Sequence, residues 1–62
     1  MKDKIYIHLK TGNEYLVLEE LEMKCLMTEG WHRAVLYQSL ETGRKYVRAI
    51  VSFEKSFVEK KD

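Results

Sequence analysis

The sequence predicts an all-β fold, a small antiparallel barrel of four to five strands whose second strand is strongly bent. Short segments alternate apolar and polar residues, and turn signals recur roughly every ten residues. In one long segment the apolar side changes parity partway along, which indicates a bend. With 62 residues, the chain is expected to form one domain over residues 1–62 with a thin core.

The first strand is predicted over residues 4–10, where two kinds of side chain alternate with a period of two. One face carries Ile5, Ile7 and Leu9, and the other carries Tyr6, His8 and Lys10. This alternation is typical of a half-buried strand. Residues 11–13 then form a turn in which Gly12 is the residue best able to adopt a positive φ.

Residues 14–27 are predicted to form the bent strand. The apolar residues Leu16 and Leu18 are even-numbered, whereas Leu21, Met23 and Cys25 are odd-numbered. One inserted residue near positions 19–20 would put both sets on the inward face and bend the strand. The alternative is a helix, because glutamate, leucine, methionine and lysine all favour helices.

After a turn over residues 28–33 that contains Gly30, the third strand is predicted at 34–40 and the fourth at 45–53. Residues 41–43 (Glu-Thr-Gly) are typical of a three-residue hairpin loop with Gly43 in the left-handed conformation. A shorter, two-residue loop would shift the register by one and bring Tyr37 beside Arg48.

The three-residue loop predicts two sets of cross-strand pairs. One set is apolar and is expected to form the core face, continuing into Val51 and Phe53: Tyr37 with Val47, and Val35 with Ala49. The other set is expected to face outward: Leu36 with Arg48, and Gln38 with Tyr46. In the tail, a 3₁₀ turn or a short last strand is expected, with Phe57 and Val58 capping the barrel and residues 59–62 frayed.

The charges are unevenly distributed, although the net charge is only +1. Residues 14–29 carry −4, from five glutamates and one lysine, and residues 44–62 carry +3, from six basic and three acidic side chains. Strong nucleic-acid binders usually have a larger excess of Lys and Arg. No apolar run approaches the ~18 residues of a membrane span, so a soluble cytoplasmic protein without membrane contact is expected.

Catalytic and metal-binding patterns are not found in the sequence. Cys25 is the only cysteine, which excludes a disulfide within the chain and a CxxC zinc site and favours a reducing compartment. His8 and His32 are its only possible partners for cysteine–histidine chemistry, and no spacing links them. The sequence therefore predicts a protein that is not an enzyme and needs no metal or cofactor.

Two surfaces are candidates for binding. Trp31, with His32 and Arg33, follows Gly30 in a polar turn, and exposed tryptophan beside arginine is typical of recognition surfaces. The alternative is that Trp31 folds back over one open end of the barrel.

The second candidate is the outward face formed by Gln38, Tyr46 and Arg48 beside Leu36. Interleaved aromatic and basic groups could stack on bases or hold an anion. The same residues could instead form a simple cross-strand cluster.

Several short motifs occur in an order that resembles an uncharacterised family of short bacterial and phage domains. They are His8-Leu9-Lys10 with Gly12, Tyr15-Leu16-Val17-Leu18, Val35-Leu36-Tyr37-Gln38-Ser39-Leu40, Tyr46-Val47-Arg48 and Phe53. The chain departs from that pattern at Leu9 (tyrosine in the family), at Ala49 (proline in the family) and in a longer interval before Tyr15. The resemblance implies an SH3-like β-barrel of bacterial or phage origin and implies no activity.

These observations together predict a non-enzymatic binding module that docks a protein or peptide through Trp31 and the Tyr46/Arg48 face. A homodimer is also expected, because Leu36 and Ile50 should be exposed and strand edges unpaired. The first alternative is a phage-encoded inhibitor that binds a host defence protein or sequesters a nucleotide signal. The second is a protein that binds single-stranded nucleic acid.

Overall fold

The computed structural model describes residues 1–61, which form a five-stranded antiparallel sheet and a short helix. The elements are β1 (Ile5–His8), β2 (Glu14–Lys24), β3 (Trp31–Ser39), β4 (Lys45–Ala49), α1 (Ile50–Ser56) and β5 (Phe57–Glu59). The strand order is β4-β3-β2-β1-β5. The predicted antiparallel, mostly β architecture is confirmed, but the sheet is not closed into a barrel.

The long second strand is bent by a bulge, as predicted, and the alternative of a helix over residues 14–27 is wrong. The β2–β3 ladder is regular up to Val17 and shifts register before Glu19, so Leu18 is the extra residue. The predicted position, residues 19–20, lies just beyond the observed bulge. An extra residue of this kind bends the strand and increases its twist.

The inward face of β2 is the opposite of the predicted one. Val17 is fully buried, and Tyr15 packs against the core. Beyond the bulge, Glu20 lies opposite the buried Val35, which puts it on the core side of the sheet. Leu21 and Met23 therefore lie on the other face, because side chains alternate along a strand.

The loop between β3 and β4 is one residue longer than predicted. The Ser39 amide donates to the Arg44 carbonyl at 2.9 Å, which leaves residues 40–43 in the loop. The Ser39 hydroxyl accepts hydrogen bonds from the amides of Glu41 (3.2 Å) and Thr42 (3.1 Å), which stabilises the longer turn. Gly43 has a φ of 78°, as predicted for the left-handed position.

This loop shifts the register and moves Arg48 and Tyr46 to the core side. Tyr46 pairs with Tyr37, and Arg48 pairs with Val35. Partners in an antiparallel ladder project from the same face, so the prediction that Arg48 and Tyr46 face outward is wrong. Val47 and Ala49, predicted to be in the core, lie on the opposite face.

Residues 50–53 were predicted to continue the fourth strand, but they belong to α1. The helix points Phe53 into the core, where its ring stacks on that of Phe57, with centroids 4.2 Å apart. The Phe57 amide donates to the Phe53 carbonyl and ends the helix. Val51 and Val58, expected in the core and at its cap, are exposed.

The C-terminal segment pairs with the first strand. His8 lies opposite Phe57, and Tyr6 lies opposite Glu59. The Lys60 amide continues the ladder with a 2.8 Å hydrogen bond to the Ile5 carbonyl. The short last strand is therefore present, while Asp62, the final residue of the expected frayed end, lies outside the described residues.

The β2–β3 hairpin extends far beyond the core. Trp31, His32 and Arg33, predicted in a turn, form the start of β3. We call residues 19–33 the arm, and the rest of the described chain the body. The molecule measures 38 × 20 × 18 Å, and every side chain of the hydrophobic core belongs to the body. Between residues 1 and 61, no helix is both long enough and apolar enough to cross a membrane.

Candidate functional site

An aromatic pocket opens on the core side of the body. It has a volume of about 230 Å³. Its walls come from all five strands and from the turn after β1: His8, Thr11, Tyr15, Tyr37, Tyr46, Arg48 and Phe57. We call this set the aromatic pocket, and it combines flat rings with a guanidinium and several hydroxyl groups.

Three tyrosines on neighbouring strands form one wall of the pocket. Tyr37 and Tyr46 are cross-strand partners, and their rings stack with centroids 5.6 Å apart. Tyr15 meets Tyr37 edge to face at 5.5 Å. Aromatic pairs of this kind hold one another in a fixed geometry, so the wall is preformed.

Arg48 lies over the floor of the pocket. Its guanidinium carbon is 5.3 Å from the centroid of the Phe57 ring, within the range of a cation–π contact. The ion pairs among residues 1–61 involve Glu14 and Glu20, and neither of these pairs with Arg48. The pocket therefore holds a half-buried positive charge without a carboxylate partner.

The turn after β1 completes the rim. The Gly12 amide donates to the His8 carbonyl at 2.7 Å, and this turn brings Thr11 back over the strand end. The His8 Nδ1 atom lies 3.0 Å from the Thr11 hydroxyl oxygen. The His8 ring also packs on Phe57, with centroids 4.9 Å apart, so both of its contacts hold it at the pocket edge.

The hydroxyl groups of the pocket tyrosines are available to a ligand. The Tyr6 hydroxyl, outside the pocket, donates to Glu59 at 3.5 Å. Among the described residues, no side-chain hydrogen bond is formed by the hydroxyls of Tyr15, Tyr37 and Tyr46, and no buried side-chain polar atom lacks a partner. The three hydroxyls therefore reach the pocket or solvent, where each can donate or accept a hydrogen bond.

The six residues predicted as binding residues fall into three places. Tyr46 and Arg48 come together in the aromatic pocket. Gln38 lies on the opposite face, beside Leu16 and Lys45, and its side-chain amide donates to the Gly43 carbonyl at 2.8 Å. The remaining three lie in the arm: Trp31, His32 and Arg33.

In the arm, each of these three residues has a local partner. Trp31 is 66% exposed, and its ring centroid is 6.0 Å from the Lys24 ammonium. Since Trp31 is exposed, the alternative that it covers an open end of the core is wrong. Arg33 forms a 2.6 Å ion pair with Glu20, and the His32 Nε2 atom is 3.1 Å from the Thr28 hydroxyl.

The tip of the arm exposes large apolar side chains. Leu26 and Met27 are 91% and 92% exposed, the highest values among the exposed large hydrophobic residues. By contrast, Leu36 and Ile50, which were expected to be exposed, are half-buried. Ile50 packs against the core.

A larger cleft of about 440 Å³ lies between the two chain ends of the described structure. Acidic and basic side chains alternate around it, and it has no aromatic wall: Asp3, Lys4, Ile5, Glu59, Lys60 and Lys61. Its charges are already mixed, so it offers no uniform field to a ligand. The aromatic pocket is the better candidate site.

The Cys25 thiol is a reactive group outside the aromatic pocket. Hydrogen bonding from the Thr28 backbone, and then from the Thr28 hydroxyl and Met27 backbone, lowers the pKa of the Cys25 thiol. Cys25 lies at the arm, away from His8 in the pocket. Within residues 1–61, no group of three or more His, Cys, Asp and Glu side chains could hold a metal ion.

Sequence reasoning missed most of the pocket: His8, Thr11, Tyr15, Tyr37 and Phe57. Two signals were present in the sequence. The alternating face of β1 that carries Tyr6 and His8 is as regular as its isoleucine face, and Phe53 and Phe57 have the four-residue spacing of a helix face. In comparisons with family models, curated proteins and solved structures, nothing matches the chain.

Proposed function

We propose that the protein is a non-enzymatic binding module that seats one acidic side chain of a protein partner in the aromatic pocket. The observation that carries the proposal is Arg48, a cation with no ion-pair partner in residues 1–61, held over Phe57 beside three tyrosines. The resemblance to short bacterial and phage domains implies no activity. An accessory role in a bacterium or phage remains an expectation.

The size of the pocket favours one side chain over a whole small molecule. Sites for cofactors and drug-sized ligands usually have volumes of about 300–1,000 Å³. The aromatic pocket, at about 230 Å³, is smaller. A single aspartate or glutamate side chain of a docked peptide fits this volume, and the peptide backbone would then run along the rim.

The chemistry of the pocket favours a carboxylate. An arginine guanidinium presents several donors to the two carboxylate oxygens, and such charged hydrogen bonds are the strong ones in proteins. The tyrosine hydroxyls can donate further hydrogen bonds to the same group. The segment from residue 44 to residue 62 carries a net charge of +3, which attracts an acidic partner to the body.

Selection of random peptides displayed on phage, with the wild-type protein as bait, tests this proposal. We expect the enriched peptides to share one acidic residue flanked by apolar residues. Synthetic copies should bind Arg48→Met about tenfold to hundredfold more weakly, because a hydrogen bond to a charged group contributes about 1.5–3 kcal/mol.

The matched control is Arg44→Met. Arg44 is an exposed cation directly before β4 and lies outside the pocket. Peptides that bind Arg44→Met and wild type equally, but not Arg48→Met, support the proposal. If the enriched peptides lack an acidic residue, or if they bind Arg48→Met as well as wild type, the proposal is wrong.

A pull-down from the native host lysate then identifies the partner, including a host defence protein if the protein is an inhibitor. Wild type, Arg48→Met and Trp31→Ala should be compared as baits. A partner that is lost with Arg48→Met and retained with Trp31→Ala uses the pocket. The reverse result indicates that the arm is the docking site, as the Trp31 hypothesis predicts.

A nucleotide is the second candidate ligand, because Tyr46 is 40% exposed and its ring stacks on that of Tyr37 beside Arg48. Bases stack on aromatic rings in this way in proteins that bind single-stranded nucleic acids. Titration with adenosine monophosphate and with an oligothymidylate at several salt concentrations tests it. Binding that weakens steeply with salt and is lost in Arg48→Met would favour the nucleotide, and absence of binding removes it.

A further inference from the structure

One edge of the arm has no neighbouring strand. β1 pairs with β2 from Glu14 to Leu16, and the N-terminal segment extends this pairing through two hydrogen bonds to Val17. From Glu19 to Lys24, β2 pairs with β3 on one side. Within residues 1–61, no strand lies against the other side of this segment.

The hydrogen-bonding groups on this edge can be assigned from the ladder. The Cys25 amide donates to the Gly30 carbonyl at 2.9 Å. In an antiparallel pair, every second residue directs its amide and carbonyl toward the same neighbour. Leu21 and Met23 therefore bond to β3, and the backbone groups of Glu22 and Lys24 point toward the open edge.

An open strand edge is a template for another strand. We propose that a second copy of this chain pairs antiparallel with this edge along residues 21–25, with the twofold axis at Met23. The proposal concerns the arm, so it is independent of the peptide site in the body.

The side-chain pattern favours a second copy of this chain as the partner and favours one register of pairing. With the axis at Met23, Glu22 of each copy lies opposite Lys24 of the other, on the core-side face. Met23 lies opposite Met23 of the second copy, and Leu21 lies opposite Cys25 of the second copy, on the other face. Both faces then have complementary pairs, opposite charges on one and apolar groups on the other.

The neighbouring registers are less favourable. An axis at Glu22 brings the two Glu22 side chains together, and an axis at Lys24 brings the two Lys24 side chains together. An axis at Leu21 places Glu20 opposite Glu22 twice. Like charges directly opposite each other destabilise a strand pair. A twofold axis normal to the sheet requires both residues of each pair to project from the same face. Registers with the axis between two residues are therefore excluded.

The pairing is expected to be reversible and concentration-dependent. Each copy contributes only a five-residue edge, and interfaces below about 1,200 Å² of buried surface are typical of weak complexes. The interface is nevertheless closed, because each copy uses the same segment. A dimer, rather than a filament, is therefore the expected product of this contact.

Disulfide cross-linking tests the register. In a Cys25→Ser background, Met23→Cys places two thiols directly opposite each other across the axis, within the reach of a disulfide. Leu21→Cys is the matched control, because its two thiols would be about 13 Å apart along the strands. Under mild oxidation with glutathione disulfide, Met23→Cys should give about tenfold more covalent dimer than Leu21→Cys.

Two outcomes of the cross-linking contradict the proposal. Equal cross-linking of the two variants would show random collision, and a larger yield from Leu21→Cys would show a different register. Sedimentation of the wild type adds a second readout. A chain that stays monomeric from micromolar to millimolar concentration also overturns the proposal.

Charge reversal gives a test that needs no cysteine. Glu22→Lys and Lys24→Glu should each weaken dimerisation, and the double variant should restore it, because the opposite charges are then exchanged between the copies. Circular dichroism checks that each variant stays folded. Arg48→Met should dimerise as wild type does, so failure of the dimer proposal and failure of the peptide proposal are distinguishable. Single and double variants that all dimerise as wild type does would contradict the proposal.

Discussion

The body and the arm belong to the same sheet but are held together by different forces. In the body, aromatic rings pack around the fully buried Val17, Val35 and Phe53. In the arm, no side chain is buried, and backbone hydrogen bonds with one exposed ion pair between Arg33 and Glu20 hold the hairpin. Exposed ion pairs contribute little to the free energy of unfolding. The stability of the fold therefore comes from the body, and the arm is an exposed extension of it.

This difference supports the separate roles that we propose for the two regions. A binding pocket needs fixed walls, and packed rings provide them. An element that pairs with another chain needs unpaired backbone and exposed side chains, and those are found where the core ends. Substitutions in the body and in the arm should therefore have different effects on stability.

Phe53→Ala should have the largest effect on stability. Phe53 is fully buried, and removal of a core phenylalanine costs about 3–5 kcal/mol. A domain of 62 residues has a free energy of unfolding of about 3–9 kcal/mol, so the variant should be largely unfolded. Urea unfolding followed by circular dichroism measures it.

Val51→Ala is the control for Phe53→Ala. Val51 lies in the same helix but is exposed, so its replacement should change the free energy of unfolding by no more than about 0.5 kcal/mol. Similar losses in the two variants would contradict the assignment of the core to the inner side of α1.

Glycine-to-alanine substitutions should affect stability differently in the β3–β4 loop of the body and in the β2–β3 turn of the arm. Gly43 has a φ of 78°, and a side chain in the left-handed region costs about 1–2 kcal/mol. Gly43→Ala should therefore lower the free energy of unfolding, although nothing lies within 4 Å of the added Cβ.

Gly30→Ala should behave differently from Gly43→Ala. A Cβ at Gly30 would meet the Thr28 hydroxyl oxygen at 3.6 Å, an ordinary contact, and its backbone needs no positive φ. The substitution should be neutral or stabilising by up to about 1 kcal/mol. A larger loss at Gly30 than at Gly43 would reverse the expected order of the two turns.

The pH dependence of stability should reveal the burial of Tyr6. Burial, reinforced by the Glu59 carboxylate, raises the pKa of Tyr6 in the folded state. The neutral hydroxyl is thus favoured by folding, and this contribution is complete below the ordinary tyrosine pKa and lost as pH rises through the raised value. Wild type should lose stability in that alkaline range more steeply than Tyr6→Phe, in urea titrations at successive pH values. Identical pH profiles would contradict this.

The arm should show its own pH dependence at Cys25. The lowered pKa of its thiol gives more thiolate at neutral pH than an ordinary cysteine has. Alkylation of the folded protein by iodoacetamide should have its pH midpoint below that of the urea-unfolded chain, and Thr28→Val should raise it. Equal midpoints in the folded and unfolded chains would show that the Thr28 contacts do not act on the sulfur.

Leu26→Ser and Met27→Ser should have the smallest effects on folding. Both side chains are almost fully exposed, so each change should alter the free energy of unfolding by no more than about 0.5 kcal/mol. Urea unfolding at low protein concentration measures this without a contribution from association. A loss of several kcal/mol would mean that the arm tip packs against the body.

Part of the site could be predicted and part could not, for reasons seen in particular residues. Tyr46 and Arg48 were recognised from their residue types, since an arginine among aromatics indicates binding wherever it points. Their neighbours in the structure were not predicted, because the Ser39 hydroxyl stabilises a four-residue loop. One additional loop residue shifts the register and moves every side chain of the strand to the opposite face of the sheet. The apolar run after Ala49 was predicted as strand, but packing of Phe53 against Phe57 outweighed its local preference.

Features that depend on neighbours along the chain can be derived from the sequence alone. The strand segments, the bulge beside Leu18 and the positive φ of Gly12 and Gly43 follow from local alternation and backbone sterics. Which face of each strand is buried depends on packing between segments that are distant in the sequence. Either face of β1 could have packed against the core. The Phe53 ring of α1 packs against Tyr6, so Tyr6 faces the core and the isoleucines of β1 lie on the other side of the sheet.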